Sequence, residues 1–377
     1  MIPLSVPNIE GNEWQYIKEC LDTNWVSSVG SYVDLFEQKV AEFTGAQYAV
    51  STVNGTAALH IALLLSNVTQ DDCVLVPNIT FIASVNAIKY VNASPIFIDI
   101  DPDTWQMDLG LLEEFLENET TLQEGICTEK NSQRKIKAIM PVHVLGNMAD
   151  MDHLKALAKK FHLEIIEDAS EALGSYYEGT HSGNFGKFGC FSFNGNKIIT
   201  TGGGGIIITD DEQLAAKAKH ITTQAKADKF EYVHDHVGYN YRLVNVLAAM
   251  GVAQMENLPK FLNRKQEVNA FYREQLTNVG DIQLQEIPNK TSSNHWLFTI
   301  LTSQQKPLIQ HLTAHKIQVR PLWYPMNRLE MFKHERYYSR NDLSMEVYQK
   351  SISLPCSTNI SEEDTAFVVK TIRDFFN

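Results

Sequence analysis

The chain predicts an α/β protein: a mostly parallel, seven-stranded sheet flanked by helices, followed by a smaller C-terminal α+β domain. Three observations predict it. Short apolar, β-rich runs alternate with helical patterns through the first two-thirds of the sequence, as strands joined by crossover helices do. At 377 residues and 44% hydrophobic, the chain can bury a large core and is long for one simple domain. Two chemically distinctive residues, Asp168 and Lys197, follow strand-like segments, where open α/β sheets place their ligands.

Taken in order, the strand candidates are Tyr48–Thr52, Val74–Val76, Pro95–Ile100, Ala138–Val144, Leu163–Glu167, Cys190–Phe193 and Ile206–Thr209. Helical stretches lie between several of them: Thr56–Leu65, Ile82–Tyr90, Asp108–Glu117, Asp152–Phe161 and Gln213–Ile221. The polar stretch from Asn118 to Lys137 reads as an exposed loop or a frayed helix end. From Met250 a helical pattern runs to about Gln275. Pro259 should kink it or start a second helix, so the domain boundary is placed here, with residues 1–256 as the large domain and 257–377 as the small one. Beyond it, Trp296–Leu301 and Ile317–Arg320 read as strands, Lys306–His315 and Glu362–Phe376 as helices.

The run Cys190-Phe-Ser-Phe-Asn-Gly-Asn-Lys-Ile-Ile-Thr-Thr-Gly-Gly-Gly-Gly205 carries a lysine out of a strand into small and polar residues. A lysine that forms an imine needs neighbours that lower its pKa and room for a flat ligand; a structural lysine beside a glycine turn would look similar. Leu163-Glu-Ile-Ile-Glu-Asp168 reads as a short buried strand ending in acid. Alone, Asp168 could cap a helix. Paired with Lys197 it suggests pyridoxal phosphate, whose aldehyde needs an amine and whose ring nitrogen needs a carboxylate. Val50-Ser-Thr-Val-Asn-Gly-Thr-Ala-Ala-Leu59 then reads as a strand, a tight turn and a helix start, where free N–H groups and the Thr56 hydroxyl can cradle a phosphate.

Together with Gly238-Tyr-Asn-Tyr-Arg242, Asn24-Trp-Val-Ser-Ser-Val-Gly30, Val142-His-Val-Leu-Gly-Asn-Met-Ala-Asp150 and the closing Leu354-Pro-Cys-Ser, these motifs resemble the sugar-nucleotide aminotransferases of the DegT/StrS type. That family belongs to the aspartate-aminotransferase-like fold type I enzymes, and the resemblance runs over nearly the whole chain. It implies Lys197 as the Schiff-base lysine and Asp168 as the partner of the pyridine nitrogen. It also implies that Phe81 stacks on the cofactor ring and that Gly55, Thr56, Ala57 and Ser192 hold the phosphate. Asn240 would reach that phosphate across a homodimer interface. Glu171 stands where family members often carry Gln, close to the ring hydroxyl; a carboxylate there would favour a protonated ring oxygen or be protonated itself. The family's frequent Thr-Gly-Glu-Gly-Gly is here Thr201 followed by four glycines. One antiparallel strand is expected, Ile206–Thr209.

The implied reaction moves an amino group from L-glutamate to the keto group of a nucleotide-linked sugar. The wording around Lys197 and Glu-Asp-Ala-Ser-Glu resembles the branch that aminates C4 of UDP-linked 4-keto-6-deoxy-N-acetylglucosamine, which feeds bacillosamine-type surface glycans. Amination at C3, a GDP- or dTDP-linked sugar, and a cofactor-binding regulator without turnover are the alternatives. Trp25, His295, Arg320, Trp323 and Tyr324 are the candidate substrate-side residues; core packing is the competing reading for each aromatic.

Other classes are disfavoured. A net charge of −13 with no basic stripe argues against nucleic acid as a partner. No apolar stretch is long enough to span a bilayer and no signal-peptide pattern opens the chain, so a soluble cytoplasmic protein is expected. Five scattered cysteines fit neither a disulfide framework nor a zinc site. His234-Asp-His236 lacks a third metal ligand at a persuasive spacing, so no metal is expected. Asp99-Ile-Asp-Pro-Asp103 fails as a calcium loop because Thr104 and Gly110 stand where its glycine and closing glutamate belong.

Overall fold

The computed structural model describes residues 1–228 and 230–377. All seven expected strands form, and they lie in one sheet. Across it the order is Tyr48–Thr52, Gly205–Thr209, Phe188–Ser192, Glu164–Asp168, Lys135–Ile139, Asp72–Pro77, Ser94–Ile98 and finally Arg336–Tyr338. Neighbours from Phe188–Ser192 to Arg336–Tyr338 pair in parallel. Gly205–Thr209 runs antiparallel to both of its neighbours. Asp72–Pro77 and Gly205–Thr209 are buried from end to end and most residues of the other inner strands are buried, as a sheet covered on both faces requires.

Two additions bring this sheet to ten strands. Arg336–Tyr338, three residues long, closes one edge from far downstream in the sequence. The polar stretch after Asn118 is not a loop: Thr120–Gln123 and Ile126–Glu129 form a hairpin joined to Lys135–Ile139. Its two-residue turn, Glu124-Gly125, has φ of 50° and 76°, the left-handed pair that matches hairpin twist. Alternation buries Cys127 and Glu129 while Ile126 faces out, so this edge strand shows too little apolar content to be read as one.

Helix Gly55–Leu65 is apolar all round and buried against the sheet. Asn54 caps it, its side-chain oxygen accepting the Ala57 N–H at 2.8 Å, an interaction worth about 1 kcal/mol. Helix Ile82–Tyr90 forms as expected. The largest departure is the helix Asn245–Leu276, which runs unbroken through Pro259. An interior proline costs about 3 kcal/mol, but Met255, Leu258 and Phe261 are buried on either side of it, and that packing holds the helix. The expected boundary at residue 257 therefore falls inside one helix that serves both parts of the chain.

Beyond that helix, Gln283–Leu284, Phe298–Leu301 and Ser351–Leu354 make a small antiparallel sheet, with helices Gln305–Ala314 and Glu362–Phe376. Ile317–Arg320 is not a strand and makes only isolated bridges, to Ile2 and Ser353. Among the described residues, no helix is long and apolar enough to cross a membrane.

Candidate active site

The carboxyl ends of the central strands open onto a cavity of about 380 Å³. Asp168 closes its floor as the last, buried residue of its strand. No helix follows, so the capping reading does not apply. The Oδ2 atom instead accepts the Ser84 hydroxyl at 2.6 Å, and Oδ1 accepts the Ser170 N–H at 3.1 Å. Two such bonds fix the direction of this carboxylate. Ser84 itself is held by Thr80, Oγ to Oγ1 at 2.8 Å.

Lys197 enters from the turn after Phe188–Ser192, its N–H bonded to the Asn194 carbonyl at 3.0 Å. Its ammonium is mostly buried. Nζ lies 3.6 Å from Glu171 Oε1 and 4.0 Å from the centroid of the Trp296 ring. Burial pulls the amine below the usual lysine range, while the carboxylates of Glu171 and Asp168 push it back up. Glu171 shows the mirror effect: burial drives its carboxyl up to about 7, against the pull of Lys197. Glu171 Oε2 also accepts the Leu145 N–H at 2.8 Å. Leu145 has φ of 62°, a left-handed conformation that costs a non-glycine residue roughly 1–2 kcal/mol; that bond helps hold it.

Gly55, Thr56 and Ser192 line one end of the cavity, at the first turn of the capped helix. Orphan N–H groups at such a turn suit an anion. The fit there is close: a Cβ on Gly55 would meet Ser192 Cβ at 2.9 Å, and one on Gly205 would meet the Asn54 carbonyl oxygen at 2.4 Å. Ala57 does not line the cavity, because its N–H is spent on Asn54. Phe81 stands at the mouth, 54% exposed at the start of its helix, free to cover a flat ring. An amine, a directed carboxylate, an aromatic face and an anion cradle are the parts pyridoxal phosphate requires, so the residues fit that cofactor.

The far wall comes from the C-terminal part: Arg320, Trp323 and Trp296. His295 does not join them. Its φ of 51° turns the backbone, and its ring bonds Gln266 and Asn269 on the long helix; burial pushes its pKa down to about 3, so it is neutral. Tyr324 packs on Tyr348 and Trp25 is largely exposed, both outside the lining. Asn240 is exposed, in a segment paired with Thr223, and does not line the cavity of its own chain.

Trp296, Ser84 and Ser170 were missed by the sequence reading. Nothing local distinguishes Trp296 from its neighbour His295; only the backbone turn decides which one faces the lysine. The structure also supplies a histidine that spacing could not. His220, from helix Glu212–Thr222, bonds Asp235 at 2.6 Å beside His236 at 3.0 Å, and the three potential ligand atoms lie within 4.8 Å of one another.

The family model of the DegT/DnrJ/EryC1/StrS aminotransferases matches residues 7–373. The chain is 38% identical to the GDP-perosamine synthase of Escherichia coli O157:H7, covering 100% of this chain and 99% of that one. It is 34% identical to the GDP-perosamine synthase of Vibrio cholerae, covering 100% of both. A DegT DnrJ EryC1 StrS aminotransferase from Brucella abortus superposes with a TM-score of 0.90 at 26% identity, covering 97% of this chain and 95% of that one. A sugar aminotransferase of Streptococcus pneumoniae, solved in its PLP form, superposes at 0.88 with 25% identity, covering 99% and 98%.

Proposed function

The chain belongs to the DegT/DnrJ/EryC1/StrS aminotransferase family, and from that premise we propose that it transfers the amino group of L-glutamate to the C4 keto group of a GDP-linked 4-keto-6-deoxy sugar. Its activity class is that of the family, a pyridoxal-phosphate-dependent sugar-nucleotide aminotransferase. The single observation that carries the chemistry is the meeting of Lys197 and the doubly bonded Asp168 in one cavity. The full-length similarity to two GDP-perosamine synthases supports the GDP-linked acceptor over the UDP-linked one that the motif wording suggests.

Pyridoxal phosphate, when bound, supplies an aldehyde for amine exchange and a ring that withdraws electrons from the carbon losing a proton. The chain's own residues do the rest. Asp168 would hold the ring nitrogen's proton, its direction fixed by Ser84 and Ser170. Gly55, Thr56 and Ser192 would bind the phosphate, with Asn240 of a second copy completing it in a homodimer. Lys197 Nζ would be the base that takes the α-proton of glutamate, and in the second half of the cycle the same amine would deliver a proton to the sugar carbon. Burial pulls that amine below the usual lysine range, against the opposing pull of Glu171 and Asp168, the direction that suits a general base. Arg320 is a cation on the far wall, suited to a donor carboxylate or the diphosphate of the acceptor.

The test is to incubate the enzyme with glutamate and GDP-, UDP- or dTDP-linked 4-keto-6-deoxy sugars in parallel. Product mass gives the nucleotide preference and NMR gives the carbon aminated. The proposal expects the GDP-linked sugar to react fastest at C4; preference for the UDP-linked N-acetyl sugar would establish the second reading instead.

A further inference from the structure

Lys197 must spend part of every cycle unattached to the cofactor, as a free side chain buried in the cavity. A buried ammonium with nowhere to go is costly. The structure provides a place for it. Nζ lies over the indole face of Trp296, 4.0 Å from the ring centroid, well inside the range in which an ammonium is attracted by the ring's negative face. Glu171 lies on another side at 3.6 Å.

That indole is held from every direction. Trp296 is 2% exposed, and its ring N–H donates to the Asn196 carbonyl at 2.7 Å, the residue just before the lysine. Ser5 donates to the same carbonyl at 3.2 Å. The backbone N–H of Trp296 is taken by Asn294 Oδ1 at 2.9 Å. The ring of Trp323 lies parallel to it, 7° between planes and 6.3 Å between centroids. The Trp296 carbonyl accepts from Lys265 Nζ at 2.8 Å, and that buried ammonium also reaches the Cys356 carbonyl at 2.5 Å. Lys265 has no carboxylate within reach in these bonds. Its role is to tie the long helix to the two turns that carry Trp296 and Cys356, so it is a positioning residue for the indole.

We propose that Trp296 is a catalytic residue that holds the free Lys197 ammonium against its indole face whenever the lysine is released from the cofactor. The inference rests on the reading of Lys197 as the cofactor lysine. The ring face adds to the carboxylates a contact that stabilises the cation without a further ion pair to break when the lysine returns to the cofactor. The charged groups acting on Nζ are then Glu171 and Asp168, which favour the cation, and Arg320, which opposes it.

The test reads the lysine directly. Full-length protein stripped of cofactor is labelled with acetic anhydride across a pH series, and peptide mass spectrometry gives the midpoint for acetylation of Lys197. In Trp296→Leu the midpoint should fall by about one pH unit, the size expected for losing a desolvated cation–ring contact. Trp296→Phe keeps a ring face, so its midpoint should stay much nearer to the wild type. An unchanged midpoint in Trp296→Leu overturns the inference, and so does an equal shift in both variants, which would mean packing rather than the aromatic face. Should Trp296→Leu fail to fold, an unshifted midpoint in Trp296→Ala or equal midpoints across the folded ring and non-ring variants would decide against it in the same way. Failure here leaves the aminotransferase reading intact, because that reading depends on whether Lys197 bonds the cofactor at all.

Discussion

The two walls of the cavity are made differently. Its floor is built by the sheet: Asp168 ends a strand, Ser192 ends its neighbour, and Gly55 opens a helix capped by Asn54. Backbone geometry alone brings these groups together. The far wall is built by turns of the C-terminal part, where Trp296, Arg320 and Trp323 arrive from segments with little regular structure. In the proposed reading the floor carries the groups that any amine transfer would use, and Arg320 and Trp323 on the wall would face the acceptor. One scaffold can then keep its reaction while its acceptor changes, because changes in the turns leave the strand ends where they are.

That contrast can be broken by substitution. Lys197→Ala should abolish turnover, with a loss of at least about 10²–10⁴-fold for removing the acid–base group; a variant that still formed product near the native rate would remove the floor's central member. Asp168→Asn should lower kcat by about 10²-fold or more, as loss of a fixed charge at the reacting centre does, with little change in the KM for the sugar. Arg320→Ala should do the opposite. A lost charge-assisted contact predicts a rise in KM of about 10–100-fold, and a purely kcat effect would move Arg320 from the wall to the floor.

Glu171→Gln sharpens the comparison at its seam. The carboxyl is raised in the folded protein to about 7, so the native state holds a proton that the unfolded chain sheds at its ordinary, lower pKa. Stability from this group is full below that ordinary value and is lost as pH rises through about 7. The melting temperature of Glu171→Gln, compared with wild type in cofactor-free protein, should therefore gain on the order of 2 °C between pH 5 and 8, by the usual scaling of stability with melting temperature. An unchanging difference would mean that Glu171 keeps its ordinary acidity. His295→Ala should change the kinetic constants least, by less than about twofold, since its ring bonds Gln266 and Asn269 and does not line the cavity.

The same division decided what could be read from the sequence. Strand ends announce themselves: Glu-Asp168 after an apolar run, and Lys197 between a strand and four glycines, are local patterns. The glycines make sense in space too, since Gly205 lies where a side chain would strike the Asn54 carbonyl. Turn-borne residues give a weaker signal: Arg320 and Trp323 were expected and line the cavity, while His295 and Tyr324 were expected and do not. His295 and Trp296 are neighbours, and a backbone φ of 51° at the first sends it toward Gln266 and leaves the second facing the lysine. The hairpin Thr120–Gln123 with Ile126–Glu129 hid behind a polar composition. The helix through Pro259 hid behind a local rule that tertiary burial overrode.

The account stands on one covalent assignment, and borohydride can test it directly. Reduction of the cofactor-loaded enzyme fixes the cofactor to the lysine that bonds it, and peptide mass spectrometry locates the adduct. The account predicts the adduct on Lys197, and its loss when excess glutamate is added before reduction. An adduct on any other lysine, or one that glutamate leaves undiminished, would contradict it.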